Sequence, residues 1–154
     1  MRVIKSVVTT DAILTSSNIP EDEYPAWVSG TSYTALDKVI YEHKIYERIV
    51  TGVGTITPDL DQINWLDSGY TNRYRMFDNI MSSVSSQMGG IEFTLTPHQI
   101  VNGIALLNVN ASTVRVVMND SIEGVVYDRT KELRSSSNVI DYYSYFFAPL
   151  INLG

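Results

Sequence analysis

Asp59, Asp61 and Asp67 are the carboxylates whose spacing best suits acid and base chemistry. Cleavage of a glycosidic bond takes two acids on the order of 5–10 Å apart across a cleft. These three stand in a turn-rich stretch of an acidic chain, the ordinary setting of loop carboxylates, and no further residue completes a catalytic set. The two histidines, His43 beside Glu42 and Lys44 and His98 after Pro97, are far apart in sequence and match no zinc spacing. Both read as solvated turn residues. Gly52 and Gly54 lack the Lys-Ser/Thr ending of a phosphate loop, and no nucleophile elbow occurs. The absence of cysteine removes thiolate nucleophiles, thiolate ligands and disulfides. The expectation is a protein that is not an enzyme and carries neither metal nor cofactor.

Aromatic residues are the second chemical possibility, because sugar rings lay their apolar faces on exposed aromatic planes. Between Trp27 and Asp67 the chain places Trp27, Tyr33, Tyr41, Tyr46 and Trp65 among short apolar pairs, with Gly and Pro punctuation and no helical period. Each has two readings. A module this small needs its large side chains to build a core, which favours core for Trp27, Trp65, Tyr33 and Tyr46. Tyr24 and Tyr41 are the better candidates for an exposed contact, and the candidate carbohydrate-binding set is Tyr24, Trp27, Tyr41 and Trp65.

The elements that must position these residues are strands. A chain of 154 residues, 44% hydrophobic and 18% charged, suits one ordinary domain or two small ones. Val3 to Thr9 reads as a short β-branched strand, and residues 1–23 as that strand plus a linker through Ser16, Ser17, Asn18 and Pro20. Tyr74, Phe77 and Met81 lie near one helical face, predicting one or two helical turns within a connecting segment at 70–89. Candidate strands follow at Ile91 to Thr96, Ile100 to Val109, Thr113 to Met118, Gly124 to Leu133 and Tyr142 to Phe147. Short strands at that interval predict an all-β chain, with a sandwich or jelly-roll-like unit at 90–154 completed by residues 1–10 or by another chain. The continuously apolar Ile104 to Leu107 suits a strand buried on both faces.

A net charge of -6 repels nucleic-acid phosphates and anionic lipid, and the cations form no basic stripe. No apolar run approaches the roughly 20 residues of a membrane span, and the first residues fail as a secretory signal. The expectation is a soluble chain made in the cytoplasm, with neither nucleic acid nor membrane insertion.

The stretch YPAWVSGTSYTALDKVIYEHKIYERIVTGVGTITPDLDQINWLDSG resembles the small chitin- and cellulose-binding modules of carbohydrate-binding families five and twelve. Trp27, Tyr33, Asp37, Val39, Tyr41, Tyr46, Pro58, Asp59 and Trp65 carry the pattern, and the resemblance implies a β module at 24–69. Two departures stand out. The modules usually have Gly before the acid matched to Asp37, where this chain has Leu36, and the exposed aromatics expected after Tyr46 are replaced by Glu47, Arg48, Ile49, Val50 and Thr51.

The TNRYRMFDN that follows resembles a motif found after such modules in structural proteins of tailed bacteriophages. IALLNVNASTVRVVM, GVVYDRT and DYYSYFFAPLI resemble the same proteins. The resemblance implies a virion protein of the tail or tail tip, made in the host cytoplasm, present in multiple copies among other tail proteins. Its module is expected either to contact host-surface polysaccharide or to serve as a protein connector without sugar binding. Asn72, Arg73, Tyr74, Phe77 and Asp78 also have two readings. One is an interface with another protein. The other is a clasp in which Arg73 or Arg75 pairs with Asp78 while Tyr74 and Phe77 plug the joint between module and second unit.

Overall fold

A computed structural model of the chain describes residues 7–80, 82–101 and 103–133, and these are all-β apart from one short 3-10 turn. Two compact units divide between Asn108 and Val109.

The first unit is built around three antiparallel strands in the order β3 (Lys38–Tyr41), β4 (Lys44–Arg48), β6 (Trp65–Tyr70). Central β4 is paired along both edges and buries residues on both faces, Ile45 on one and Tyr46 and Arg48 on the other. Beside it β2 (Thr31–Tyr33) pairs with β5 (Gly52–Gly54). Tyr33, Val39, Tyr46 and Trp65 form the core, with Trp27 and Tyr41 packed against it. Gly54 is demanded by closeness: a Cβ there would lie 2.9 Å from Cε2 of Tyr33 and 3.2 Å from Nε1 of Trp27.

Two turns carry backbone that L-residues resist. Leu36, in place of the expected Gly, sits at φ 74°, and its side chain is 73% exposed. The turn is held by Asp37, which accepts from the Thr34 N–H at 2.6 Å and the Thr34 hydroxyl at 2.7 Å. The β3–β4 hairpin turns on Glu42 and His43 at φ 46° and 64°, the pair of positive angles of a type I′ turn, which Asn-Gly would fill more easily.

A further ribbon joins β1 (Leu14–Ser17) to β7 (Phe93–Leu95), with Leu14 opposite Leu95 and Ser17 opposite Phe93. Two expectations change here. The strand near the N-terminus lies in the stretch expected as linker; Val7 to Thr9 form no strand, and residues 3–6 lie outside the described residues. The Ile91 to Thr96 strand pairs with β1 inside the first unit and not with β8 or β9. Between β6 and β7 the expected helical turns reduce to a 3-10 turn at Arg75–Phe77, since the Ser-rich sequence after it offers no apolar face to extend; Met81 lies outside the described residues.

In the second unit β8 (Thr113–Asp120) and β9 (Gly124–Glu132) pair along their whole length through a bulge after Met118. Among the described residues no second sheet packs on this ribbon to make a sandwich. Residues 100–101 and 103–109 form no strand, and Ile104, Leu106 and Leu107 are exposed. An apolar run supplies no partner edge, and among the described residues β8 and β9 are paired only with each other. Tyr142 to Phe147 lies outside the described residues.

Candidate functional site

The four candidate sugar-binding aromatics do not share a plane. Trp65, at the start of β6, is 2% exposed. Its ring meets Tyr33 edge-on at 5.0 Å, and the Arg48 guanidinium lies 4.9 Å from its centroid. With one partner at its edge and a cation over its face, Trp65 has no surface to offer a sugar. Tyr33 is fixed through its hydroxyl, which donates to the Val28 carbonyl at 3.0 Å and accepts from the Val28 N–H at 2.8 Å.

Trp27 enters the module on an extended segment whose Ala26 bridges Ile40. Its ring stands nearly perpendicular to Tyr41, with centroids 5.6 Å apart and planes at 78°. Such a pair favours packing over a shared platform, because one ring presents its edge to the face of the other. Tyr24 is the most open of the four, with the Lys38 ammonium 5.6 Å from its ring centre. The set can therefore hold a single sugar face at Tyr24 or at the rim of Tyr41, and no row of rings.

The three carboxylates are spent on structure or left in loops. Asp61 accepts from Nδ2 of Asn64 at 2.9 Å and lies 3.9 Å from the buried Arg48. Asp67 pairs with Lys44 at 2.7 Å and accepts from the Gly69 N–H at 2.8 Å. Burial pushes Asp67 up, but the Lys44 ammonium and the Gly69 N–H together outweigh it and hold its carboxyl below its ordinary value. That is the reverse of what a general acid needs. Asp59 is exposed.

The densest polar cluster lies elsewhere, where the β3–β4 hairpin meets the segment after β6. His43 is half-buried, with Nε2 3.0 Å from Asp11 and Nδ1 3.0 Å from Glu21. One face of the imidazole stacks on Tyr74, centroids 4.0 Å apart and planes at 24°. The His43 carbonyl accepts from the Thr71 N–H at 2.9 Å. These contacts hold a residue whose backbone is strained, a pattern seen where surroundings over-determine a conformation.

Glu21 is the hub. Its Oε1 accepts from the hydroxyl of fully buried Thr71 at 2.7 Å, and its Oε2 lies 3.6 Å from Arg73. Arg73 Nε donates to the Ile19 carbonyl at 2.7 Å, and Glu23 accepts from the Asn72 N–H. The Asn72 side chain donates to the Ser86 carbonyl at 2.7 Å and accepts from the Ser86 N–H at 2.9 Å. The Tyr74 hydroxyl donates to Asp11, which lies in the turn before β1. Tyr74 meets Phe77 edge-on at 6.4 Å, and Phe77 meets Phe93 of β7 at 5.4 Å. Burial and the Asp11 hydrogen bond raise the Tyr74 phenol well above its ordinary value, while the hydrogen bonds from Tyr74 and His43 lower Asp11.

Three sequence expectations change at this cluster. Asp78 pairs with neither arginine; at the end of the 3-10 turn its carboxylate accepts from the Ile80 N–H at 2.9 Å. Arg73 goes to Glu21 and Ile19, and Arg75 donates to the Tyr70 carbonyl at 3.0 Å. Tyr74 and Phe77 bridge from the hairpin to the β1–β7 ribbon, within the first unit. His43 is no solvated turn residue. His43, Glu21 and Asp11 were invisible to spacing, because each partner lies tens of positions away. The one available signal was a hairpin turning on Glu-His, where Asn-Gly is the easy choice.

No family model, no curated protein and no solved structure matches the chain. Among the described residues no group of three His, Cys, Asp or Glu is placed to hold a metal ion, and no helix is long and apolar enough to cross a membrane.

Proposed function

We propose that this protein is a non-catalytic structural component of the tail of a bacteriophage, in which the 24–69 module docks against neighbouring proteins of the particle. The virion setting rests on the resemblance of TNRYRMFDN, IALLNVNASTVRVVM, GVVYDRT and DYYSYFFAPLI to phage structural proteins. The observation that carries the docking role is the occupation of Trp65 by Arg48 and Tyr33, together with the perpendicular Trp27–Tyr41 pair. A scaffold of the sugar-binding kind is kept, while the plane on which sugars would lie is used for packing. Scaffold alone does not fix function.

The second reading, contact with host-surface polysaccharide, is favoured by the openness of Tyr24. A single exposed ring would bind weakly, and many copies on one particle would raise the avidity without new contacts. Cryo-electron microscopy of the particle separates the two. Docking requires the module to be enclosed by tail proteins. A module projecting into solvent at the tail tip, with chitin or cellulose binding lost in Tyr24→Ala, would replace docking by adhesion. Absence of the chain from the particle would sink both.

A further inference from the structure

The two ends of the β3–β4–β6 sheet are unlike. At the hairpin end His43 is drawn into the polar cluster with Asp11 and Glu21. At the other end β3 begins, β4 stops and β6 begins, and the segments that meet there are bonded to one another. The Leu36 N–H donates to the Arg48 carbonyl at 2.7 Å, the Ala35 N–H to the Thr51 hydroxyl at 3.1 Å, and the Ile49 N–H to the Asn64 carbonyl at 2.8 Å. Nε of buried Arg48 donates to the Val50 carbonyl at 2.7 Å. These bonds fix the backbone, while Leu36, Ile49, Val50 and Ile63 are all exposed and none belongs to the core.

Leu36 is the sharpest case. Its φ of 74° is one that a leucine resists, and its side chain, turned to solvent, contributes nothing to the core in return. A backbone outlier of this kind points to a side chain kept for something other than stability. Apolar side chains held together on a fixed backbone need little ordering on contact, which favours binding.

Charge selects the occupant. The segments meeting here, 34–37 and 49–64, contain Asp37, Asp59 and Asp61 and no lysine or arginine. Asp61 lies against buried Arg48, and Lys38, next in sequence, is taken by Glu47 at 3.3 Å. Among the described residues neither Asp37 nor Asp59 is in an ion pair. A second copy of the same end would bring acid against acid, which disfavours a contact between like faces.

We propose that this end of the module is the surface that docks, and that what it meets is a different protein presenting an apolar patch rimmed by lysine or arginine. The inference rests on the docking reading given above and adds to it the face and the chemistry of the partner. Leu36, Ile49, Val50 and Ile63 fill the centre of the contact, and Asp37 and Asp59 meet the cations at its rim.

The test uses the full chain, supplied from the host to particles lacking their own copy, with its incorporation measured on purified particles. Leu36→Gly relieves the turn, so it should melt no lower than the parent and yet enter particles at least about tenfold less. Ile63→Asp and Asp59→Lys should lose incorporation as well, with circular dichroism matching the parent to show that each is folded. Benzoylphenylalanine placed at position 50 or 63 should cross-link under light to one and the same tail protein, near its lysines or arginines, and at position 42, on the opposite end of the sheet, should not. Particles that take up Leu36→Gly and Ile63→Asp as well as the parent, or cross-links that run from 42 and not from 50 and 63, would overturn this face and leave docking to another. Cross-links from 50 and 63 to a second copy of the chain would overturn the assigned partner. A chain absent from the particles would overturn the docking reading itself, and this inference with it.

Discussion

Replacing Glu21 by alanine tests whether the cluster around His43 holds the first unit together. The carboxylate side chain is only 13% exposed, with the Thr71 hydroxyl at 2.7 Å and His43 Nδ1 at 3.0 Å as close partners. A hydrogen bond to a charged group contributes about 1.5–3 kcal/mol, and leaving a buried hydroxyl unpaired costs about 1–3 kcal/mol. The Arg73 contact at 3.6 Å is half-exposed and adds about 0–1 kcal/mol. The three share one network and do not add in full, so the expected loss is about 3 kcal/mol. For a unit near 100 residues that lowers the melting temperature by roughly 12 °C or more. Urea melts followed by circular dichroism give the free energy, and amide exchange at Thr71, whose N–H bonds the His43 carbonyl, reports whether the loss is local. Asp22→Ala, on the exposed neighbour, should change stability by less than about 0.5 kcal/mol. If Glu21→Ala costs under about 1 kcal/mol, or no more than Asp22→Ala, the cluster is ornamental and the assignment of Glu21 as its hub is wrong.

Leu36→Gly should stabilise the protein by about 0.5 kcal/mol, because relief of a left-handed leucine worth about 1–2 kcal/mol exceeds the chain entropy of glycine, about 0.5–1 kcal/mol. A lower melting temperature would show that the turn tolerates leucine without strain. Gly54→Ala should destabilise by about 1–3 kcal/mol, since its methyl group would press on Tyr33 and Trp27; an unchanged melt would mean the rings can yield. Toward acid, the lowered Asp11 and Asp67 contribute stability that is present above the ordinary carboxylate value of 3.8 and is lost as pH falls through their folded values. Asp11→Asn should flatten the acid limb of a stability–pH curve. Toward alkali the sign reverses, for Tyr74 is raised and its contribution holds below the ordinary phenol value of 10.0 and erodes above it. Tyr46 is raised by burial as well, so Tyr74→Phe should reduce that alkaline slope without abolishing it, and a slope unchanged in the variant would assign it to Tyr46 alone.

The strands of the module were legible because aromatic and β-branched residues alternate with turn-formers between Trp27 and Trp65, a pattern that burial alone enforces. β8 and β9 were legible for the same reason, Arg115 and Val117 facing away from Val114 and Val116. What failed was pairing. Ile104 to Leu107 has the composition of a buried strand and is exposed, because hydrophobicity names no partner. The cluster was half legible: Tyr74 and Phe77 announced themselves as aromatics, but Asp11 and Glu21 stood in a stretch read as strand and linker. Glu21 and Asp11 acquire meaning only when the hairpin tip folds down between them, a tertiary event that leaves no mark on local spacing. Leu36 was legible in a different way, as a residue standing where the backbone asks for glycine.

β1 was missed because Leu-Thr-Ser-Ser lacks the apolar alternation of a half-buried strand, and that same polarity suits the order in which the chain is made. The Thr15 hydroxyl meets Thr96, 81 positions later, and at about 5–20 residues per second of synthesis the strand waits roughly 4–16 s for its partner to emerge. An apolar strand with open edges would spend that interval as a template for aggregation. Three of the four residues of β1 are hydroxylated, and its one apolar member, Leu14, is buried against the returning strand only after nearly all of the first unit has left the ribosome. The strand is thus made well before the partner that closes it into the first unit.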